Sequence, residues 1–120
     1  MVGSAVKALN PEVMCPSSSE LNLLNSINLH GVESIIHLAA RVGGIKANVD
    51  NMADFYLDNS RINNNLLSAA ALGGVKKVVS LMSTCVYPDS SYITYPLTEE
   101  QLHLGPPHHS NFGYAYSKRM

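Results

Sequence analysis

Tyr114 and Lys118 stand four residues apart in NFGYAYSKRM, at the end of a 120-residue chain. On a helix that spacing puts both side chains on one face. A free phenol, with a pKa of about 10, is a poor proton donor or acceptor near neutrality. A neighbouring ammonium favours the phenolate, so Lys118 is expected to bring Tyr114 toward working pH as a proton-transfer group. Tyr116 has no such partner, because position 120 is Met. The competing reading is a chance pair on an exposed helix face, and two residues alone do not separate the readings.

Ser83 enlarges the set. It precedes Tyr114 by 31 residues and follows an apolar, β-branched run directly. A hydroxyl at such a strand end can donate to a carbonyl oxygen that gains negative charge. Ser83, Tyr114 and Lys118 are together the parts for moving a hydride to or from a carbonyl. The serine holds the oxygen, the tyrosine exchanges its proton, and the lysine tunes the phenol and can anchor a ribose. As a lone residue, Ser83 reads more readily as a strand-end turn residue. Cys85 lies two positions on. Taken by itself it reads as a buried thiol filling a gap behind the strand.

The elements that must position these groups are legible in outline. Residues 34–38 and 77–82 are compact apolar runs, read as strands buried on both faces. Between them, RVGGIKANVD reads as a glycine-containing loop. Residues 52–72 then carry a helical stripe of Met52, Phe55, Tyr56, Ile62, Leu66, Leu67 and Ala70. Asp50 or Asn51 is expected to cap that helix and Gly73-Gly74 to end it. Asn59 and Asn63 interrupt the stripe. Nearer the N-terminus the pattern gives a helix over 2–9, a short strand at 12–15 and a polar loop over 17–31. A long connection rich in Pro, Ser and His, including His103, His108 and His109, leads to a last helix beginning near Asn111. Loops of that length usually serve function or are disordered.

Strand, crossover helix, strand is a βαβ unit, which favours a parallel sheet and an α/β fold. Ligands of such sheets bind beyond the carboxyl ends of the strands. AARVGG and STCVYP both start there, so topology alone puts them in one crevice.

The composition is 46% hydrophobic and 14% charged, with a net charge of −1, ordinary for a soluble domain. Nothing in it suggests a nucleic-acid or membrane partner. Cys15 and Cys85 read as free thiols in a reducing compartment. With no signal peptide legible, a cytoplasmic location is the default expectation.

HLAARVGGIKAN, STCVYPD and GPPHHSNFGYAYSKRM together resemble the extended short-chain dehydrogenase/reductases that act on nucleotide sugars. The VGG after HLAA and the Cys of STC narrow the likeness to a branch of epimerase–reductases acting on a GDP-linked 4-keto-6-deoxy sugar. The resemblance implies an incomplete doubly wound, Rossmann-like parallel sheet, with the first strand and later strands missing. Residues 1–120 would be a partial dinucleotide-binding domain without its substrate domain. It implies NADP as cofactor, a small-molecule nucleotide sugar as substrate, and a homodimer in the full-length enzyme. Ser83, Tyr114 and Lys118 fall on the catalytic positions, and Cys85 on the thiol that moves protons beside the ketone.

Gly3, Leu38, Ala39, Ala40, Leu81, Met82, Ser83, Thr84 and Lys118 fall on cofactor contacts, and Gly43, Gly44 and Asn111 on substrate contacts. Asn59 resembles a helix asparagine near the active centre, or else sits solvated at the stripe's edge. The family's Gly-x-x-Gly-x-x-Gly loop is matched only by its last glycine, Gly3. Where NADP users place a basic residue for the 2′-phosphate, this chain has Ser17 to Ser19 and no Lys or Arg. A partial chain of this kind is expected to be weakly stable and to turn over no substrate alone. Two alternatives stay open: another nucleotide-sugar reductase, epimerase or dehydratase, and a non-catalytic partner of a complete subunit.

Overall fold

The computed structural model describes residues 2–120; Met1, which opens the stretch aligned with the glycine loop, lies outside them. Helix α1 spans Val2–Leu9, strand β1 Ser34–His37, helix α2 Ile45–Asp50, helix α3 Met52–Gly73, strand β2 Lys77–Ser80 and helix α4 Phe112–Arg119. Single 3-10 turns occupy Thr84–Val86, Glu99–His103 and His109–Asn111 along the β2–α4 connection. No helix among the described residues is long and apolar enough to cross a membrane.

β1 and β2 pair in parallel, with Ile35 opposite Val78 and His37 opposite Ser80. The expected βαβ unit is therefore present, with α3 as its crossover. Helix α3 ends as its glycines predict. Gly74 takes a left-handed φ of 74°, and Val75 N–H reaches back to the Ala70 carbonyl at 3.0 Å. A residue with a β-carbon is strained in that conformation, which is why glycine stands there. The helix start departs from expectation. Asn51 occupies the cap position, but its side chain donates to the Ala47 carbonyl at 3.1 Å and caps nothing in α3.

The buried face of α3 is Phe55, Asn59, Ile62, Leu66, Ala69 and Ala70, at helical spacing. Tyr56 and Leu67, expected in the stripe, are exposed. Full burial of a Phe, Ile or Leu contributes about 1.5–3 kcal/mol, so Phe55, Ile62 and Leu66 anchor the helix. At its C-terminal end Leu29, Ala69 and Ala70 pack with Ile35 and Val78 of the sheet. Among the described residues, only that sheet face is covered. Ile36 and Val79 point the other way and remain 49% and 44% exposed. The expectation of strands buried on both faces therefore fails. Side chains alternate along a strand, and α3 lies against one side.

Two other expectations change. Residues 12–15 form no strand: Asn10 takes the Glu12 and Val13 amides onto its side-chain and main-chain oxygens, making a turn where ladder bonds were expected. Residues 45–50, read as loop, form α2, which buries only Asn48 and so shows no apolar stripe in sequence.

Helix α4 lies against α3 so closely that a β-carbon at Gly113 would overlap the Met52 carbonyl oxygen. Gly113→Ala is expected to lower stability by about 1–3 kcal/mol, read as a shift in urea midpoint. Gly44→Ala meets open space at a φ of −69° and should stay within about 0.5 kcal/mol of the parent. Equal effects at the two positions would refute the close-approach account.

Candidate functional site

The crevice forms where the chain leaves β1 and β2. Leu38 and Ala39 follow β1, and Leu81, Met82, Ser83 and Thr84 follow β2; all but Ser83 are exposed, and Ser83 is half-buried. An extra ladder bond, Leu81 N–H to the His37 carbonyl at 3.0 Å, holds the two exits side by side. The chain turns at once into the 3-10 turn Thr84–Val86, whose first bond is Cys85 N–H to Ser83 Oγ at 3.3 Å. Ser83 is thus a turn residue and a crevice hydroxyl together.

Helix α4 brings Tyr114 to this turn. Partial burial of the phenol raises its pKa above the ordinary tyrosine value, and a Cys85 thiolate nearby would raise it further; Ser83, facing it, works the other way. Ser83, Cys85 and Tyr114 therefore share one side of the crevice.

Lys118 does not make the expected pairing with the Tyr114 phenol. Its ammonium is absent from the influences on Tyr114, and Nζ donates instead to the Leu81 carbonyl at 3.2 Å. The side chain is 6% exposed, and burial pulls its own pKa down. The i, i+4 spacing does put both residues on one helix face, but the lysine is turned to the end of β2. The phenol here is held protonated by burial, not acidified by an ammonium.

Polar side chains seat α4. Asn63 Nδ2 donates to the Ser117 carbonyl at 2.8 Å, and its Oδ1 lies 3.1 Å from His37 Nε2. Since Asn63 donates through its nitrogen, its oxygen must accept, which makes His37 the Nε2–H tautomer. Arg119 extends from the end of α4 to the carbonyls of Val86 and Gly105. His37 and Asn63 were not read as site residues. The only signal for Asn63 was a polar residue interrupting the α3 stripe.

Asn59 is 1% exposed and fully bonded, which rules out the solvated reading. It accepts from Arg41 N–H at 2.8 Å and donates to the carbonyls of Arg41 and Phe55 at 3.0 and 2.8 Å. It clamps the loop after β1 to α3. Arg41 adds an ion pair with Asp58 at 2.7 Å and lies over the Phe55 ring at 4.9 Å. Gly44 faces open space, whereas a β-carbon at Gly43 would come within 2.9 Å of Phe55. Packing against Phe55 favours glycine at position 43. Asn48 lies beneath this loop and donates to the Gly43 and Gly44 carbonyls at 2.9 and 3.1 Å.

Asn111 immediately precedes α4, closing the 3-10 turn through its N–H to the His108 carbonyl at 3.0 Å. His108 Nδ1 is 2.8 Å from Ser110 Oγ, and His103 ends the turn Glu99–His103, so the three histidines are loop residues as expected. Gly3 lies on α1, which buries no residue, and its carbonyl receives the Cys15 thiol at 3.6 Å. Ser17 donates from Oγ and N–H to the Glu20 carboxylate at 2.7 and 2.8 Å.

Residues 12–120 match the NAD dependent epimerase/dehydratase family. The chain belongs to this family. A probable GDP-L-fucose synthase of Drosophila melanogaster is 50% identical over 86 residues, which is 72% of this chain and 26% of that protein. A GDP-L-fucose synthetase of Naegleria fowleri, solved bound to NADP, is 55% identical over 72% of this chain and 25% of its own, with a TM-score of 0.63. The GDP-mannoheptose C4 reductase of Campylobacter jejuni, solved with NADP, superposes over 98% of this chain and 36% of its own, with a TM-score of 0.84 at 27% identity. The chain thus spans about a quarter of the length of the fucose synthases it resembles. The segments containing VGG and STC lie within the stretch similar to GDP-L-fucose synthases, and the doubly wound, Rossmann-like α/β fold is shared with these structures.

His37 provides a titration test of the α4 seat. Burial chiefly lowers its pKa, the Lys118 charge lowers it further, and the Asn63 bond opposes both. The unfolded chain therefore binds a proton that the folded chain refuses. Stability should be fully present above about pH 6.5 and lost as pH falls through the folded value. His37→Gln keeps a donor for Asn63 without titrating, and should flatten that part of the pH dependence of the urea midpoint. An unchanged slope would remove His37 as its source.

Proposed function

We propose that this chain carries the reacting centre of a nucleotide-sugar epimerase–reductase. The reaction is conversion of GDP-4-keto-6-deoxy-D-mannose to GDP-L-fucose, by 3,5-epimerisation and NADPH-dependent reduction of the 4-ketone. The observation that carries this reading is that Ser83, Cys85 and Tyr114 meet beside the carboxyl end of β2.

The crevice suits a dinucleotide at its ribose end. The buried Lys118 ammonium uses one bond on Leu81 and retains donors for ribose hydroxyls. Leu38, Ala39, Ala40, Leu81, Met82 and Thr84 would line the same ligand at the strand ends. When bound, NADPH supplies the hydride for the 4-keto carbon. Ser83 donates to the ketone oxygen as negative charge develops there. Tyr114 gives that oxygen its proton, and the raised pKa keeps the proton on the phenol until it is needed. Cys85, as thiolate, would remove a proton from a carbon beside the ketone, a second acid–base group would give one to the opposite face, and the thiol would release its proton to solvent. Gly44 and Asn111 are candidate sugar contacts.

The homodimer, formed through α3, and the cytoplasmic location belong to the same reading. Taken alone, the chain is proposed to turn over no substrate, because the Gly3 helix buries nothing against the crevice.

The test grafts residues 35–120 into the matching place of a complete GDP-L-fucose synthase. The chimera should oxidise NADPH with the keto sugar. Tyr114→Phe in it should reduce turnover by roughly 10²–10⁴-fold, as loss of a general acid does. Cys85→Ser should abolish solvent deuterium uptake at the sugar carbons and spare hydride transfer. Full deuterium uptake in Cys85→Ser would overturn the epimerase role, and full turnover in Tyr114→Phe the reductase role.

A further inference from the structure

The connection between β2 and α4 doubles back on itself. Pro88 and Pro107 form an antiparallel bridge, and Asp89 N–H donates to the Pro106 carbonyl at 2.9 Å. Its outgoing limb carries Ser83 and Cys85, and its returning limb leads into α4 and Tyr114. Neither limb belongs to the sheet, so strand pairing fixes neither beyond Leu81.

Arg119 reaches both limbs. Its Nε donates to the Val86 carbonyl at 2.6 Å, one residue beyond Cys85. Its Nη1 and Nη2 both donate to the Gly105 carbonyl at 3.1 Å. The guanidinium carbon lies 5.4 Å from the Tyr116 ring centre, which steers the fork from below. Val86 is 3% exposed, so its carbonyl limb is packed as well as bonded. Gly105 is held from its other side, where a β-carbon would meet the Tyr92 ring at 2.5 Å. Hydrogen bonds from a charged donor are roughly twice as strong as neutral ones. A planar fork can serve two carbonyls at once, which a single ammonium does not reproduce.

We infer that Arg119 is a positioning residue that ties both limbs of the 83–111 connection to α4 and thereby sets Cys85 and Ser83 against Tyr114. It touches neither substrate nor cofactor in this role; it acts through the Val86 and Gly105 carbonyls. The inference rests on the proposed function only for its purpose, because the clamp itself is a property of the described chain.

The test uses the 120-residue chain with Cys15→Ser, so that iodoacetamide reports on Cys85 alone. Arg119→Ala should raise the Cys85 alkylation rate by about tenfold or more, as the limb gains freedom to open locally. Arg119→Lys should recover little of the protection. Hydrogen exchange should rise across 83–107 in both variants and stay unchanged across residues 55–66 of α3. An alkylation rate within about twofold of the parent in Arg119→Ala, full rescue by lysine, or equal loss of protection in α3 would each overturn the inference. None of these readouts needs turnover. Failure of the reductase reading would leave them standing, and failure here would leave Tyr114 and Cys85 to be judged by the chimera.

Discussion

The seat of α4 on α3 governs the rest of the site. At Gly113 the two helices meet with no room for a β-carbon against the Met52 carbonyl. That close approach carries Ala115 and Ser117 into complete burial and delivers Tyr114 to the strand end. Burial there is a cost as well as an anchor, because Ser117 and Lys118 take polar groups with them. Each is answered: Ser117 Oγ donates to the Tyr114 carbonyl at 2.7 Å, Asn63 donates to the Ser117 carbonyl, and Lys118 donates to Leu81. The polar residues of this seam follow from the glycine that allows it.

The same logic explains the asparagines of α3. A stripe broken by Asn59 and Asn63 looks like a weakened amphipathic helix. In the fold the Asn59 amide bonds the main chain of Arg41 and Phe55, and the Asn63 amide bonds the Ser117 carbonyl and the His37 ring. Asn59 holds the loop after β1, and Asn63 holds α4 while fixing the tautomer of His37. Buried polar side chains of this kind are tolerated because they are fully bonded. They also set register, since an apolar replacement would leave the loop and α4 free to slide.

The electrostatics of the crevice follow from burial more than from pairing. Tyr114 is shifted toward its neutral form, as are Lys118 and His37, and for each the first cause is loss of water. Lys118 is directed at a carbonyl dipole and does not act on the phenol. A proton resting on Tyr114 suits the donor role proposed for it. A negative charge on Cys85 would hold the proton on Tyr114 more firmly.

The βαβ unit, the crossover helix with its glycine stop, and the place of Ser83 just beyond the end of β2 were determined by the sequence alone. Period, turn chemistry and strand-end topology are local properties, and the motif spacings sit on them. The family likeness was legible in the same segments. The direction of Lys118, the clamp made by Arg119, the bonding of Asn59 and Asn63, and the single covered sheet face were decided only in three dimensions. Helical spacing fixes which residues share a face, but a long side chain on that face can reach several acceptors. The one it takes depends on which carbonyls other elements leave unpaired and buried beside it. The absent strand at 12–15 and the short helix α2 have the same origin: a turn or a loop closed by distant or side-chain partners leaves no periodic trace.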